Sequence, residues 1–258
     1  MIKIGDFVRK KSDKNNIIFR VTNIDDNYVQ LKGEVIRLVC TSPLDDLVPC
    51  SVCDLKSVLL PSLQERRQSS IVKGKILHID GDEIYLKKAL RAYRQYDLKV
   101  IGYYIQEEKM PNAISALLQR HNPDIVVITG HDALLNEDEK MIYDINNYRN
   151  SSYFVDATKE CRKYNQDLDS LVVISGACQS YYEALIESGA NFASSPTREN
   201  IHLFDPVIIA SQIALTPVYE YAKIENVLFN TINKNMGGLD TRGQARRIYS
   251  GGKSSNDT

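Results

Sequence analysis

From residue 71 onward the sequence alternates short apolar runs with segments of helical period, and no other feature restricts the fold as much. "KGKILHID", "LKVIGYYI", "PDIVVITG" and "DSLVVISG" read as strands, while "GDEIYLKKALRAYRQYD", "PNAISALLQRH", "SYFVDATKECRKYN" and "QSYYEALIESG" read as the helices that follow them. Parallel strands cannot be joined by a tight turn, so this alternation predicts a mostly parallel sheet with helical crossovers. The unbroken apolar run of "IVVIT" calls for cover on both faces of its strand. The fourth helix is expected to open at Gln179 and to stop at Gly189, a residue suited to the left-handed conformation that ends helices.

The first part of the chain has another rhythm. "GDFVRK", "NIIFRVTNI", "YVQLKG" and "VIRLVC" are short strand-like pieces separated by Gly, Asp and Asn, which predicts a small SH3-like β-barrel over residues 1–53. Residues 54–70, "DLKSVLLPSLQERRQSS", read as a linker, 71–235 as an α/β domain, and 236–258 as a flexible tail rich in Gly, Ser and Arg.

Composition excludes several classes. At 43% hydrophobic and 25% charged residues the chain has the balance of an ordinary globular protein. It holds no apolar run near the ~18 residues that a membrane span needs. Its start lacks the apolar core of a secretory leader, so it is expected to stay in the compartment where it is made. Five scattered cysteines, an odd number, argue for reduced thiols rather than a disulfide framework. The net charge of -1 provides no bulk attraction for nucleic acid. Cys50 and Cys53 have zinc-ligand spacing with only Cys40 nearby, one ligand short of a structural site, and no metal or other cofactor is expected.

In open α/β sheets reacting groups gather beyond the carboxyl ends of the strands. "IVVITGHDA" puts His131 just past the third strand, and "VVISGACQS" puts Cys178 at the matching point after the fourth. If these strands are neighbours, an imidazole stands ready to take the proton of a thiol. The expected helix after Cys178 would add its N-terminal partial charge to the activation, and the small Gly176 and Ala177 would let a substrate carbonyl approach backbone N–H groups. A buried cysteine is more often core filler, which is the reading for Cys161; His78 and His202 are assigned to packing or solvation.

His131 precedes Cys178 by close to the ~50 residues that separate base and nucleophile in caspases, with Ala177 directly before the cysteine. In strand context, order and spacing the chain therefore resembles the caspase-like cysteine peptidases. It departs from them in having Asp132, where those enzymes usually have Gly, after the histidine. Over nearly its whole length, and most specifically in "GACQSYYEALIESGANFASSP", "ITGHDA" and "IHLFDPVIIA", it is similar to the sporulation-specific YabG peptidase family of spore-forming Firmicutes. The resemblance implies a cysteine endopeptidase of the mother cell, associated with the forming spore coat. It also implies a His131 and Cys178 dyad and cleavage of coat and cortex-related precursors after Arg or Lys.

A basic substrate side chain removed from water needs a carboxylate partner. Asp132, Asp156 and Asp205 are the candidates for that substrate-binding role, each with an ordinary alternative as a turn or helix-capping residue. Arg242, Arg246 and Arg247, in a tail that cannot build a core, are expected sites of self-cleavage. Two other readings are a glutamine-amidotransferase-like thiol hydrolase and a non-catalytic coat-binding or nucleic-acid-binding protein. The first is short of its usual motifs, because Ser180 stands where a G-x-C-x-G elbow has its second Gly.

Overall fold

A computed structural model describes residues 2–51, 60–61, 63, 72–136, 138, 140–217, 220–232 and 236–238. Strands β1 (Phe7–Lys10), β2 (Phe19–Asp25), β3 (Tyr28–Gly33), β4 (Val39–Pro43) and β5 (Leu47–Pro49) form an antiparallel sheet in the order β4-β3-β2-β1-β5. Its inward residues, Val8, Phe19, Val21, Val29, Leu31 and Leu47, make a core of their own. The arrangement is compatible with the expected SH3-like barrel.

The second sheet has the order β11-β10-β9-β8-β6-β7. Its strands are β6 (Ile76–Asp80), β7 (Val100–Tyr104), β8 (Ile125–Thr129), β9 (Val172–Ser175), β10 (Phe192–Ser194) and β11 (Met236–Gly238). The first five are parallel and β11 is antiparallel to β10. Met236–Gly238, the start of the segment expected to be a tail, is thus an edge strand; residues 239–258 lie outside the described residues, as does nearly all of the expected linker.

Helices α1 (Glu83–Gln95), α2 (Met110–His121), α3 (Ser151–Tyr164), α4 (Tyr182–Glu187), α5 (Asp205–Leu215) and α6 (Ile224–Phe229) flank this sheet. Strand alternation divides the core in two. Ile76, Ile125, Val127, Val172 and Ile174 face α1 and α5 through Ala89, Tyr93, Val207 and Ile213. Leu77, Ile79, Val126, Ile128 and Val173 face α2 and α3 through Met110, Ile114, Phe154 and Cys161. Burying a side chain such as Phe154 contributes ~2 to 3 kcal/mol.

Local chemistry sets the helix ends. The Asp82 carboxylate accepts from the N–H groups of Ile84 (2.9 Å) and Tyr85 (3.1 Å) and starts α1, while Asn122, at φ 43°, ends α2. The fourth helix begins later than expected. Gln179 has φ 57°, a left-handed conformation through which a right-handed helix does not run, and α4 starts at Tyr182.

The chain runs from β6 to β7 on one side and then crosses to β8 on the other, so the strand order reverses between β6 and β8. Crevices of this kind, at the carboxyl ends of the strands, are where α/β sheets bind ligands. Asp80 pairs across from Thr129, and Ile128 from Ser175, so the loops after β6, β8 and β9 leave the sheet side by side.

Candidate active site

His131 and Cys178 stand on adjacent loops, after the adjacent strands β8 and β9. Asp132 ties these loops together. Its buried carboxylate accepts from the hydroxyls of Ser151 and Ser180 (2.9 Å to Ser180) and from the N–H groups of Asn150 (2.8 Å) and Ala133 (2.9 Å). The Ser180 hydroxyl in turn accepts from Ala177 N–H at 2.9 Å, and Ser151 accepts from Tyr181 N–H at 2.8 Å. Burial raises the carboxyl pKa of Asp132 despite these donors.

The N–H of His131 donates to Glu107 Oε1 at 2.8 Å. The Glu107 carboxylate crosses both Gly81 and Gly130 so closely that a Cβ at either position would fall 2.1 or 2.4 Å from its Oε1, which explains why these two loops carry glycine. Asp82 Oδ2 lies 3.6 Å from His131 Nε2, and Glu107 Oε1 lies 3.9 Å from Nδ1. The ring also rests against Tyr85, with 5.7 Å between centroids. Burial, reinforced by the nearby Arg37 cation, depresses the imidazole to about 4, so it is neutral at pH 7.

Cys178 is buried, and its Sγ accepts from Ile201 N–H at 3.3 Å. Burial pushes the thiol up to about 11. Because α4 begins only at Tyr182, the expected helix-terminus effect on the thiol is absent. No hydrogen bond joins the thiol to the imidazole among the described residues. The N–H groups of Gly176 and Ala177 are engaged by Ile128 O (3.0 Å) and Ser180 Oγ (2.9 Å).

Arg37 was not singled out by sequence reasoning. It belongs to the β3–β4 loop of the N-terminal sheet, yet it is fully buried beside the ends of β6 and β9. Its Nη1 and Nη2 donate to the Asp80 carboxylate at 3.0 and 2.6 Å. Burial alone would raise the Asp80 carboxyl; the Arg37 guanidinium and His78 hold it well below the usual range. The partners lie 43 residues apart in sequence, and no local pattern announces them.

The other sequence-derived candidates lie in different settings. Asp205 is the first residue of α5, wholly buried, and accepts from Ile232 N–H at 2.7 Å. Asp156 is exposed on α3, with Lys159 Nζ at 3.4 Å. Cys161 is buried under α3 with its thiol pushed up to about 12 by desolvation. His78 is enclosed in β6 against the Tyr93 hydroxyl (3.0 Å), and His202 is buried beside Phe204. Cys53, Arg242, Arg246 and Arg247 lie outside the described residues. No helix among the described residues is long and apolar enough to cross a membrane.

The sequence pattern of the family described as YabG peptidase U57 matches residues 3–71 and 60–250. The chain belongs to the YabG peptidase family. The "Sporulation-specific protease YabG" of Bacillus subtilis (strain 168) is 39% identical to it over 280 residues, covering 95% of this chain and 96% of the relative. No solved structure matches the chain. As a YabG-family protein it is a sporulation-specific peptidase, and protein chains are its substrates.

Proposed function

We propose that this YabG-family peptidase is a cysteine endopeptidase in which Cys178 is the nucleophile and His131 its proton partner. The observation that carries this reading is the placement of both groups at the ends of two strands paired in register, on loops cross-linked by Asp132 and Ser180. Of the three carboxylates singled out in the sequence, Asp132 takes a positioning role, since its oxygens are turned to Ser151, Ser180 and backbone N–H groups.

In the reaction the Cys178 thiol gives its proton to His131 as sulfur bonds to the carbonyl carbon. The carbon–nitrogen bond then breaks, the imidazolium returns the proton to the leaving amine, and a thioester remains. Water cleaves the thioester, releasing the carboxylic acid and restoring the thiol. The N–H of Cys178 is assigned to the developing oxyanion, since those of Gly176 and Ala177 are engaged. Asp82 and Glu107, flanking the ring, favour the imidazolium form as it appears.

The substrates are spore coat and cortex-related precursors, cut after Arg or Lys in the mother cell. The test is hydrolysis of an Arg-containing peptide by purified protein. Cys178→Ala and His131→Ala are each expected to lower kcat by ~1,000-fold or more with the fold retained. Wild-type turnover by a folded Cys178→Ala protein contradicts the assignment.

A further inference from the structure

The segment Gly33–Leu38, "GEVIRL", joins β3 to β4 in the N-terminal sheet, and it also makes a set of contacts with the peptidase domain. Val35 O accepts from Leu203 N–H at 2.9 Å, and Ile36 forms an antiparallel bridge with His202. These residues directly follow Ile201, whose N–H is bonded to the thiol of Cys178. The Tyr85 hydroxyl lies 2.6 Å from Gly33 O and 3.1 Å from Ile36 O. Lys88 Nζ donates to Glu34 O (2.8 Å) and Glu34 Oε2 (2.7 Å). At the end of this run Arg37 turns inward to Asp80, the last residue of β6.

Extended peptides bind enzymes and modules in this manner: main-chain hydrogen bonds to an exposed edge hold the backbone, and a pocket reads one side chain. Here the edge is 201–203, the pocket ends in Asp80, and the side chain read is an arginine held in a bidentate pair. The backbone N–H of Arg37 also faces the Cys178 thiol, so the arginine that fills the pocket is next to the proposed nucleophile.

The geometry points to Asp80 as the carboxylate that receives the basic side chain preceding the scissile bond of a substrate, with Val35–Leu38 lodged in that place as an internal occupant. The inference rests on the cysteine-peptidase reading above and adds two things to it, a specificity residue and a role for the N-terminal sheet. A protein substrate binds only when the β3–β4 loop withdraws, so the sheet restrains the site by occupying it. Glu34, held by Arg20 (2.7 Å) and Lys88 (2.7 Å), is the latch of the loop.

The test measures the rate at which two peptidyl chloromethyl ketones, one ending in arginine and one in norleucine, alkylate Cys178 in the full-length protein. Arg37→Gln, which withdraws the guanidinium from Asp80, is expected to react with the arginyl probe at least ~10-fold faster than wild type. Lys88→Met loosens the latch without touching the pocket and is expected to accelerate labelling in the same direction. Adding Asp80→Asn to Arg37→Gln replaces the ion pair with a neutral amide pair, which avoids an uncompensated buried charge. This double variant is expected to lose ~100-fold of the preference for arginine over norleucine.

Retention of the arginine preference by the folded double variant overturns the pocket assignment, and unaccelerated labelling in both Arg37→Gln and Lys88→Met overturns the occupant. If Arg37→Gln alone does not fold, Lys88→Met decides the second point and the double variant, which buries no unpaired charge, still decides the first. Labelling at Cys178 that ignores Asp80 sinks this inference and leaves the peptidase reading standing. Absence of labelling at Cys178 in a protein that still digests substrate sinks both.

Discussion

The Ser180 hydroxyl donates to Asp132 Oδ2 at 2.9 Å, and this bond ties the loop that carries the proposed base to the loop that carries the proposed nucleophile. Both partners are buried, so the bond is not exchanged for water without cost. In the turn after Cys178, which lies outside α4, Ser180 and Ser151 take up Ala177 N–H and Tyr181 N–H.

Asp132→Asn puts an amide donor where four donors converge. It is expected to cost ~1 to 3 kcal/mol of stability, read by urea unfolding. It should also lower kcat ~10- to 100-fold with little change in KM, because it disturbs geometry rather than substrate binding. Ser180→Ala is expected to move kcat in the same direction by less. A large rise in KM for arginyl substrates alone, with kcat intact, would instead make Asp132 a substrate-binding residue.

The core face under α2 and α3 serves stability rather than activity. Phe154→Ala, which empties a buried ring site between α3 and the sheet, is expected to cost ~3 to 5 kcal/mol in unfolding free energy. Cys161→Ala lies in the same layer but removes only a sulfur, and its thiol, pushed up to about 12, is no nucleophile. It should cost ~1 kcal/mol and leave kcat/KM at the wild-type value.

Stability is expected to fall as the solution is acidified from neutral, through buried histidines. His131 and His202 are both depressed by burial to about 4. Their ordinary value is about 6.5, so between about pH 6.5 and 4 the unfolded chain binds protons that the folded protein refuses. Unfolding free energy then rises with pH across that window, and the contribution is complete above about pH 6.5. The raised carboxyls of Glu107 and Asp132 act in the opposite sense and offset part of it. Urea midpoints at pH 7 and pH 5 check the sign: the midpoint should drop at pH 5, and His202→Gln should flatten the drop.

The strand-helix alternation made the parallel sheet legible because each element carries its own period, and β6 to β9 with α1 to α3 follow it closely. The placement of His131 and Cys178 on adjacent loops was legible because each directly follows a strand-like run, and strand ends are where α/β sheets gather ligands. The helix α5 has no amphipathic period to read, being apolar all round and buried on every side. Asp80 passed as the end of a strand and Arg37 as part of the strand-like piece "VIRLVC". Their pairing depends on how one sheet packs on the other, a tertiary fact with no local signature.

The tail is expected to be a substrate of the enzyme that carries it. Purified protein should shorten with time, with new carboxyl ends at Arg242, Arg246 or Arg247 by mass spectrometry. A tethered segment has a fixed effective concentration, so the rate should not change on dilution. Equal trimming of Cys178→Ala under the same conditions would assign the cuts to a contaminant.

The most direct test of the central claim, that Cys178 is the nucleophile activated by His131, is the site of covalent capture. Wild-type protein treated with a substoichiometric peptidyl-arginyl acyloxymethyl ketone and digested for tandem mass spectrometry should carry the thioether on Cys178 and on no other cysteine. The adduct should vanish in a folded His131→Ala protein. An adduct on Cys40, Cys50 or Cys53 instead, or labelling of Cys178 that is undiminished without His131, would contradict the account.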